Sequence, residues 1–260
     1  MIPKTIHYCW FGANKKPKLA KKCIKSWKKN CPDYEIVEWN EDNFDILSCP
    51  HYVQQAYEAK KWAFVTDYVR LQVVYEHGGI YLDTDVEALK PFDHLLDEQA
   101  FFGFEYGEYI NTGLGFGAEK GNAVLMEMMD DYKGIPFLMA DGTFDTTPCP
   151  VRNSQVFLRN GLRKDNSRQR ICDCLILPSE YLCPYDGRSR ELQTTENTIS
   201  IHWYNGSWIP EEFRRSKEEN QRIAERRDKL HNILHLPNRI AIRVLGESNY
   251  QKIKKIIKRN

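Results

Sequence analysis

The sequence predicts an α/β fold, on three observations. Short runs rich in β-branched and aromatic residues alternate with helical periodicities from the N terminus onward. A Gly78-Gly79 pair separates a long helical pattern from a short apolar strand. That strand leads into Asp83-Thr84-Asp85, and ligands of open α/β sheets bind beyond the carboxyl ends of strands. The 260 residues divide into a main domain, 1–210, and a C-terminal helical extension, 211–260.

Taken in order, residues 4 to 10 read as a buried first strand, and Phe11-Gly12 opens a loop that passes through Pro17. Residues 17 to 29 read as a helix with Leu19, Cys23 and Trp27 on one face and a solvated lysine-rich outer face. Residues 33 to 39 alternate as a second strand, and Asn40 to Asp42 carries a helix-start signal. From 51 to 76 the pattern is helical, with a break expected near Phe64 to Thr66 and a C-cap at Gly78-Gly79. The strand at 80 to 83 follows. Further strands are predicted at 100 to 104, 112 to 118 and 174 to 177, with helices at about 121 to 132, 152 to 160 and 217 to 231.

Composition narrows the function classes. A net charge of +1 gives no support to a nucleic-acid binder acting through bulk electrostatics. The eight cysteines fit no zinc spacing, because Cys172 and Cys174 form CxC rather than CxxC; reduced, structural thiols are expected. No secretory signal is expected at the start of the chain, and no run approaches the ~18 apolar residues of a membrane span. These readings point to a cytoplasmic protein.

Asp83 and Asp85 can aim at one point if the segment stays extended, since residues i and i+2 of a strand share a side. Two like charges that close need something positive between them, and a divalent cation holding a diphosphate meets that need. Taken alone, the pair also suits an ordinary strand-end turn. Asp67 and Arg70, three apart on a predicted helix, share a face that can point at one ligand or form a plain surface ion pair.

With these residues in view, the chain resembles the DXD-containing sugar transferases of glycosyltransferase family 32, of the capsular polysaccharide and α-1,6-mannosyltransferase-like type. It is more distantly similar to the glucosyltransferase domains of the large clostridial toxins. Four blocks within residues 1 to 208 carry the resemblance: IPKTIHYCWFG, CIKSWKKNCPDYEIVEWNEDNFD, AFVTDYVRLQVVYEHGGIYLDTDVE and HWYNGSW. It implies a GT-A fold, a single Rossmann-like mixed sheet flanked by helices, with 1–210 as the catalytic domain. It also implies a nucleoside diphosphate sugar donor (UDP-sugar favoured), a manganese or magnesium ion, and transfer of a hexosyl unit with retention to a glycan or lipid-linked glycan acceptor.

Residue by residue, the resemblance makes Asp85 a direct metal ligand, Asp83 a residue shared between metal and sugar, and His202 the third ligand. Imidazole is a good donor to such ions. Asp67 would bind donor-sugar hydroxyls and Arg70 the sugar or its phosphates. Trp10 matches a base-stacking tryptophan with Tyr8 as neighbour, and a core position is its alternative. Tyr81 is a donor contact or a packed strand residue. Asn111 faces the sugar site in the family pattern, and Ser207 and Trp208 match an element on a loop that closes over the donor. Thr146-Thr147-Pro148 corresponds to a loop near the acceptor.

Two rival readings carry different tests. A haloacid-dehalogenase-like phosphatase also uses DxD after an apolar strand, with Asp130-Asp131 as a mimic of its distal acids. A non-catalytic nucleotide-sugar binding module would need no intact site. Residues 249 to 260, basic with Tyr250, Ile253, Ile256 and Ile257 at helical spacing, fit either peripheral contact with the inner face of a membrane or a terminal helix packed on the domain.

Overall fold

The computed structural model describes residues 1–106, 108–187 and 189–205, together with 246, 249 and 252. The chain divides into a unit Met1–Asn205 and a unit Gly206–Asn260, and all that follows concerns the first. In chain order its elements are β1 (Thr5–Cys9), α1 (Lys18–Asn30), β2 (Glu35–Trp39), α2 (His51–Glu58), α3 (Trp62–His77), β3 (Gly79–Tyr81) and β4 (Val86–Ala88). There follow β5 (Ala100–Glu105), β6 (Tyr109–Ile110), β7 (Phe116–Ala118), α4 (Ala123–Asp130), α5 (Cys149–Arg159), β8 (Gln169–Ile171), β9 (Cys174–Leu177), α6 (Ser179–Leu182) and β10 (Ser200–His202).

One mixed sheet runs β2-β1-β3-β7-β5-β9-β8, with β6 paired to β5. β1 is parallel to β2 and β3, β7 is antiparallel to β3 and β5, and β5 is parallel to β9. β1, β3, β5 and β9 therefore point the same way, and their carboxyl ends share one edge of the sheet. This is the expected α/β class, a mixed sheet flanked by helices.

Period-two alternation divides the core between the faces. Ile6, Tyr8, Ile80 and Leu82 pack with Cys23 and Trp27 of α1 on one side. Cys9, Tyr81, Phe102 and Phe116 pack on the other with α2, α3, α4 and α5, where α3 buries Val65, Val69, Val73 and Val74. A helix buried around most of its girth explains why α3 reads as apolar rather than amphipathic. Seven of the eight cysteines are buried free thiols and Cys172 is exposed, so most serve as small core residues.

Several boundaries differ from the expected ones. The helical break lies at Ala59–Lys61 instead of Phe64 to Thr66. Lys60 adopts φ +56° and the Lys61 N–H reaches the Ala56 carbonyl at 2.8 Å, a left-handed helix end made without glycine. The helix-start signal at Asn40 to Asp42 instead makes a turn in which Asn40 Oδ1 accepts from the Asp42 N–H at 2.8 Å. The strand expected over 112 to 118 shortens to β7, because Asn111 to Gly115 turn; α5 starts at Cys149, ahead of the expected 152.

β4 and β10 form a separate antiparallel ribbon, with Ser200, Ile201 and His202 opposite Ala88, Glu87 and Val86. Helix α1 holds this ribbon: Trp27 Nε1 donates to the Val86 carbonyl and Asn30 Nδ2 to the Ala88 carbonyl, both at 2.8 Å. Ser26 Oγ accepts from the Ala88 N–H at 2.9 Å. No helix among the described residues is long and apolar enough to cross a membrane.

Candidate functional site

The Gly78-Gly79 pair brings the chain from α3 into β3. Both glycines have positive φ, and a Cβ on Gly79 would lie 2.8 Å from both His7 Nε2 and the Thr5 carbonyl, so the turn needs glycine for space as well as for conformation. β3 ends at Tyr81. The expected extension of the strand to residue 83 does not occur: the Val86 N–H closes a turn onto the Asp83 carbonyl at 2.9 Å. The two carboxylates thus converge through a turn that doubles back into β4, not through strand alternation.

Arg70 is the buried hub of one half of the site. Its Nη2 lies 3.2 Å from Asp67 Oδ1 and 3.1 Å from Asp83 Oδ1. Its Nε donates to the Thr66 carbonyl at 3.0 Å, its Nη1 approaches Thr112 Oγ1 at 3.5 Å and Cys149 Sγ at 3.6 Å, and its guanidinium stacks 5.2 Å from the Tyr81 ring centre. Tyr81 OH donates to Asp83 Oδ1 at 3.0 Å. With Oδ1 doubly engaged, Oδ2 is the oxygen of Asp83 that remains for a ligand. The pairing of Asp67 with Arg70 is the one read from the sequence, but it is buried and reaches Asp83 as well.

The other half hangs from the ribbon. His202 Nε2 lies 3.2 Å from Asp85 Oδ1, the Asn205 N–H donates to Asp85 Oδ2 at 2.8 Å, and the Trp203 N–H donates to the Asp85 carbonyl at 3.0 Å. Tyr204 sits edge-on to the His202 ring at 4.2 Å. His202 Nδ1 is buried with no hydrogen-bond partner among the described residues.

Electrostatics set the protonation states. Burial raises the Asp67 carboxyl to about 6 against the pull of Arg70. Burial also lifts Asp83 above the usual carboxylate range, with Arg70 opposing and Asp85 adding. For Asp85 burial pushes upward but His202 outweighs it, leaving the group below its ordinary value. Burial pulls His202 down, yet Asp85 and Asp83 prevail and its value is raised.

Ligand atoms of Asp83, Asp85 and His202 lie within 4.8 Å of one another. Two carboxylates and an imidazole form a donor set that suits manganese or magnesium. Among the described residues, the three acids Asp67, Asp83 and Asp85 pair directly with Arg70 and His202, and Arg152 adds a longer-range attraction on Asp67. A divalent ion would complete the charge balance with His202 neutral, and the unpartnered His202 nitrogen is consistent with a missing acceptor of its lone pair. The residues fit the implied metal.

The remaining expected site residues are placed as follows. Tyr8 packs edge-on against Trp27 at 5.5 Å and hydrogen-bonds to Glu38, so its ring is a core group. Trp10 is partly buried; its Nε1 donates to the Asn14 carbonyl at 2.7 Å, and Lys16 Nζ lies 5.4 Å from its ring centre. Asn111 is buried, and its Oδ1 accepts from the Gly113 N–H at 2.7 Å. Ser207 and Trp208 fall outside the described residues. Asp130 and Asp131, the phosphatase mimics, end α4 in surface pairs with Lys133 and Arg159.

Sequence reasoning missed two contributors. A Cβ on Gly113 would lie 2.5 Å from Asp83 Oδ2 and 3.2 Å from Arg70 Nη1, so glycine keeps that carboxylate oxygen clear. Its place in the small-residue run after Asn111 was the available signal. Cys149 bridges the Arg70 guanidinium and Asn111 Oδ1, each at 3.6 Å, and no local pattern announces it.

Comparison with known proteins finds the following similarities. Residues 17–102 match the family described as glycosyltransferase sugar-binding region containing DXD motif. Inositol phosphoceramide mannosyltransferase 3 of Schizosaccharomyces pombe is 30% identical over 144 residues, 52% of this chain and 38% of that protein. Subversion of eukaryotic traffic protein A of Legionella pneumophila is 24% identical over 161 residues, 50% of this chain and 24% of that protein. The chain thus spans well under half the length of these relatives. Among solved structures, the PaToxG glycosyltransferase aligns with a TM-score of 0.47 and 19% identity over 61% of this chain and 69% of that one.

Proposed function

We propose that this chain, whose residues 17–102 match the DXD-containing glycosyltransferase sugar-binding region, is a metal-dependent retaining hexosyltransferase. Its donor is a nucleoside diphosphate sugar, UDP-linked before GDP-linked, and its acceptor is a hydroxyl of a glycan. The convergence of Asp83, Asp85 and His202 beside the buried Asp67–Arg70 pair carries this reading.

Asp85, His202 and the free oxygen of Asp83 would hold the cation, which when bound neutralises the charge that develops on a diphosphate leaving group. Arg70 fixes the rotamers of Asp67 and Asp83, so that both carboxylates are oriented before a ligand arrives. Asp67, held at its pairing distance from Arg70, is placed to accept hydrogen bonds from donor-sugar hydroxyls. Trp10, at the end of β1 on the same sheet edge, supplies a ring for the base once Lys16 moves from its face. No covalent nucleophile is assigned, and front-face transfer, in which the leaving diphosphate takes the acceptor proton, needs none.

The reading also has the protein in the cytoplasm, and the basic pattern of residues 249 to 260 fits either peripheral contact with the inner face of a membrane or a terminal helix packed on the domain. Most of that segment lies outside the described residues, and sedimentation with phosphatidylserine vesicles tests it. Two curated relatives are named as inositol phosphoceramide mannosyltransferases, which adds GDP-mannose and lipid-linked glycans to the substrates worth assaying.

Calorimetry with UDP and GDP, with and without manganese, followed by a hydrolysis screen of UDP-galactose, UDP-glucose, UDP-N-acetylglucosamine and GDP-mannose, tests the proposal. Metal-dependent nucleotide binding, lost in Asp85→Asn, is expected. Release of phosphate from simple phosphomonoesters with no nucleoside diphosphate product would support the phosphatase reading instead.

A further inference from the structure

The segment between α4 and α5 folds into a hairpin with a buried base and an apolar tip. Phe137 is buried against Tyr52 and Phe64, each at 5.2 Å between ring centres, and Gln55 Oε1 of α2 accepts from the Phe137 and Leu138 N–H groups at 2.8 and 3.1 Å. Leu138 bridges Phe144 across the hairpin, and the Met139 N–H donates to the Thr143 carbonyl at 2.8 Å. Beyond this base the apolar side chains have no cover. Leu138, Met139 and Phe144 are 45%, 43% and 38% exposed, so three of the eight large apolar residues exposed among the described ones gather within seven positions. A Cβ placed on Gly142 would meet nothing within 4 Å beyond its chain neighbours, and the tip therefore stands clear of the rest of the described structure.

Charge and location say what such a tip faces. Lys61 Nζ lies 5.5 Å over the Phe144 ring, Lys60 precedes it, and both lysines are exposed with no ion pair among the described residues. The acid of the tip, Asp141, is engaged within the turn, where its Oδ1 accepts from the Thr143 N–H at 3.0 Å and from the Thr143 hydroxyl at 2.7 Å. The chain leaving the tip runs straight to the candidate site. Asp145 Oδ2 pairs with Arg152 Nη2 at 2.8 Å, the Arg152 guanidinium lies over the Tyr52 and Tyr132 rings, and Cys149 between them in sequence touches Arg70 and Asn111.

We propose that this hairpin inserts its apolar tip into the surface of an anionic lipid bilayer, and so holds the Asp67–Arg70 side of the molecule against the membrane. The inference goes beyond the transferase reading, and it uses residues separate from the basic pattern at 249 to 260. Complementarity selects the partner. An apolar turn flanked by ammonium groups on long alkyl stems fits a bilayer boundary, where the apolar side chains enter the acyl region and the cations stay among the phosphates. An apolar protein groove would cover Leu138, Met139 and Phe144 but leave Lys60 and Lys61 without counter-charge; an anionic bilayer supplies both.

The experiment sediments the full chain with vesicles of phosphatidylcholine alone and of phosphatidylcholine mixed with phosphatidylserine. Binding to the mixed vesicles is expected. The variant Leu138→Ser/Met139→Ser, altered at two exposed positions with no change of charge, should weaken that binding at least tenfold, and Lys60→Gln/Lys61→Gln should reduce the preference for phosphatidylserine. UDP–manganese binding is measured on the same proteins and should not change, so that a failure of the transferase reading appears there and not in the vesicle assay. A second readout follows the tip itself. Ala140→Cys in a Cys172→Ser background places the one exposed thiol of the described residues on the turn, and a polarity-sensitive fluorophore attached there should shift to the blue when mixed vesicles are added. That readout uses the intact apolar tip and so stands even if the serine variant fails to fold. No binding by the wild-type chain, a folded serine variant that binds as tightly as wild type, or vesicle-bound labelled protein with no spectral shift would each overturn the proposal. So would a concentration-dependent dimer without vesicles that the serine variant abolishes, because it would assign the tip to a second copy of the chain.

Discussion

The two halves of the site are built on different plans. Around Arg70 the polar groups are tied together: Asp67, Asp83 Oδ1, Tyr81, Thr112, Cys149 and the Thr66 carbonyl converge on one guanidinium, and most of these residues lie between α3 and the turn after β3. Around His202, a three-residue strand delivers a side chain to Asp85 from far along the chain and leaves a buried nitrogen without a partner among the described residues. The first is a frame that holds shape without a ligand. The second is an open valence. A site divided in this way would keep its fold whether or not the proposed metal is bound.

Breaking the frame should cost the most. Arg70→Met leaves Asp67 and Asp83 buried without their counter-ion, and a loss of about 3–5 kcal/mol in urea unfolding is expected. A loss below about 1 kcal/mol would mean that the hub is not structural. Next comes the open side. His202→Ala should weaken manganese binding on the order of 10–100-fold by calorimetry, the range seen when groups supporting a metal site are removed, while stability changes much less than in the Arg70 variant. Equal losses of stability in the two variants would erase the distinction.

Gly113→Ala tests where the halves meet. The added Cβ, 2.5 Å from Asp83 Oδ2, must displace that carboxylate, and about 1.5 kcal/mol of destabilisation together with weaker metal binding is expected. Unchanged metal affinity would show that Asp83 Oδ2 is not a ligand.

The smallest effect concerns the turn under the frame. His7 donates to the Gly78 carbonyl at 2.8 Å and accepts from Trp39 Nε1 at 3.1 Å, an arrangement that needs the neutral ring. Burial lowers its value to about 4 from 6.5, so the unfolded chain takes up the proton first as pH falls. Its contribution is complete above 6.5 and is lost between 6.5 and about 4; from pH 7 to 5.5 this amounts to about 1 kcal/mol. His7→Gln should lack that share of the decline when unfolding is compared at the two pH values.

The frame was legible in the sequence and the open side was only half so. Asp67 and Arg70 sit on a long buried helix and Asp83 in the turn just past the following strand, where helical spacing and the double-glycine turn carry local signals. The proximity of Asp83 and Asp85 was foreseen for the wrong reason: alternation in a strand was expected, and a turn provides it. His202 could be named from the family block, but not placed. β4 and β10 have three residues each, too few for any periodicity, and their pairing joins distant parts of the chain. Lys60 likewise ends a helix in a left-handed conformation that local propensity assigns to glycine.

The ribbon also bears on when the protein becomes competent. Asn205 and Asp85, bound to one another, are 120 positions apart in the chain, so β10 can dock only after nearly all of the first unit has been synthesised. Closing so long a loop has an entropic cost that local contacts do not share. A nascent chain that has completed the turn after β3 already holds Asp67, Arg70 and Asp83, yet it lacks the imidazole. Cation uptake at the proposed site would thereby be deferred until the unit is whole, and manganese binding would then report completed folding.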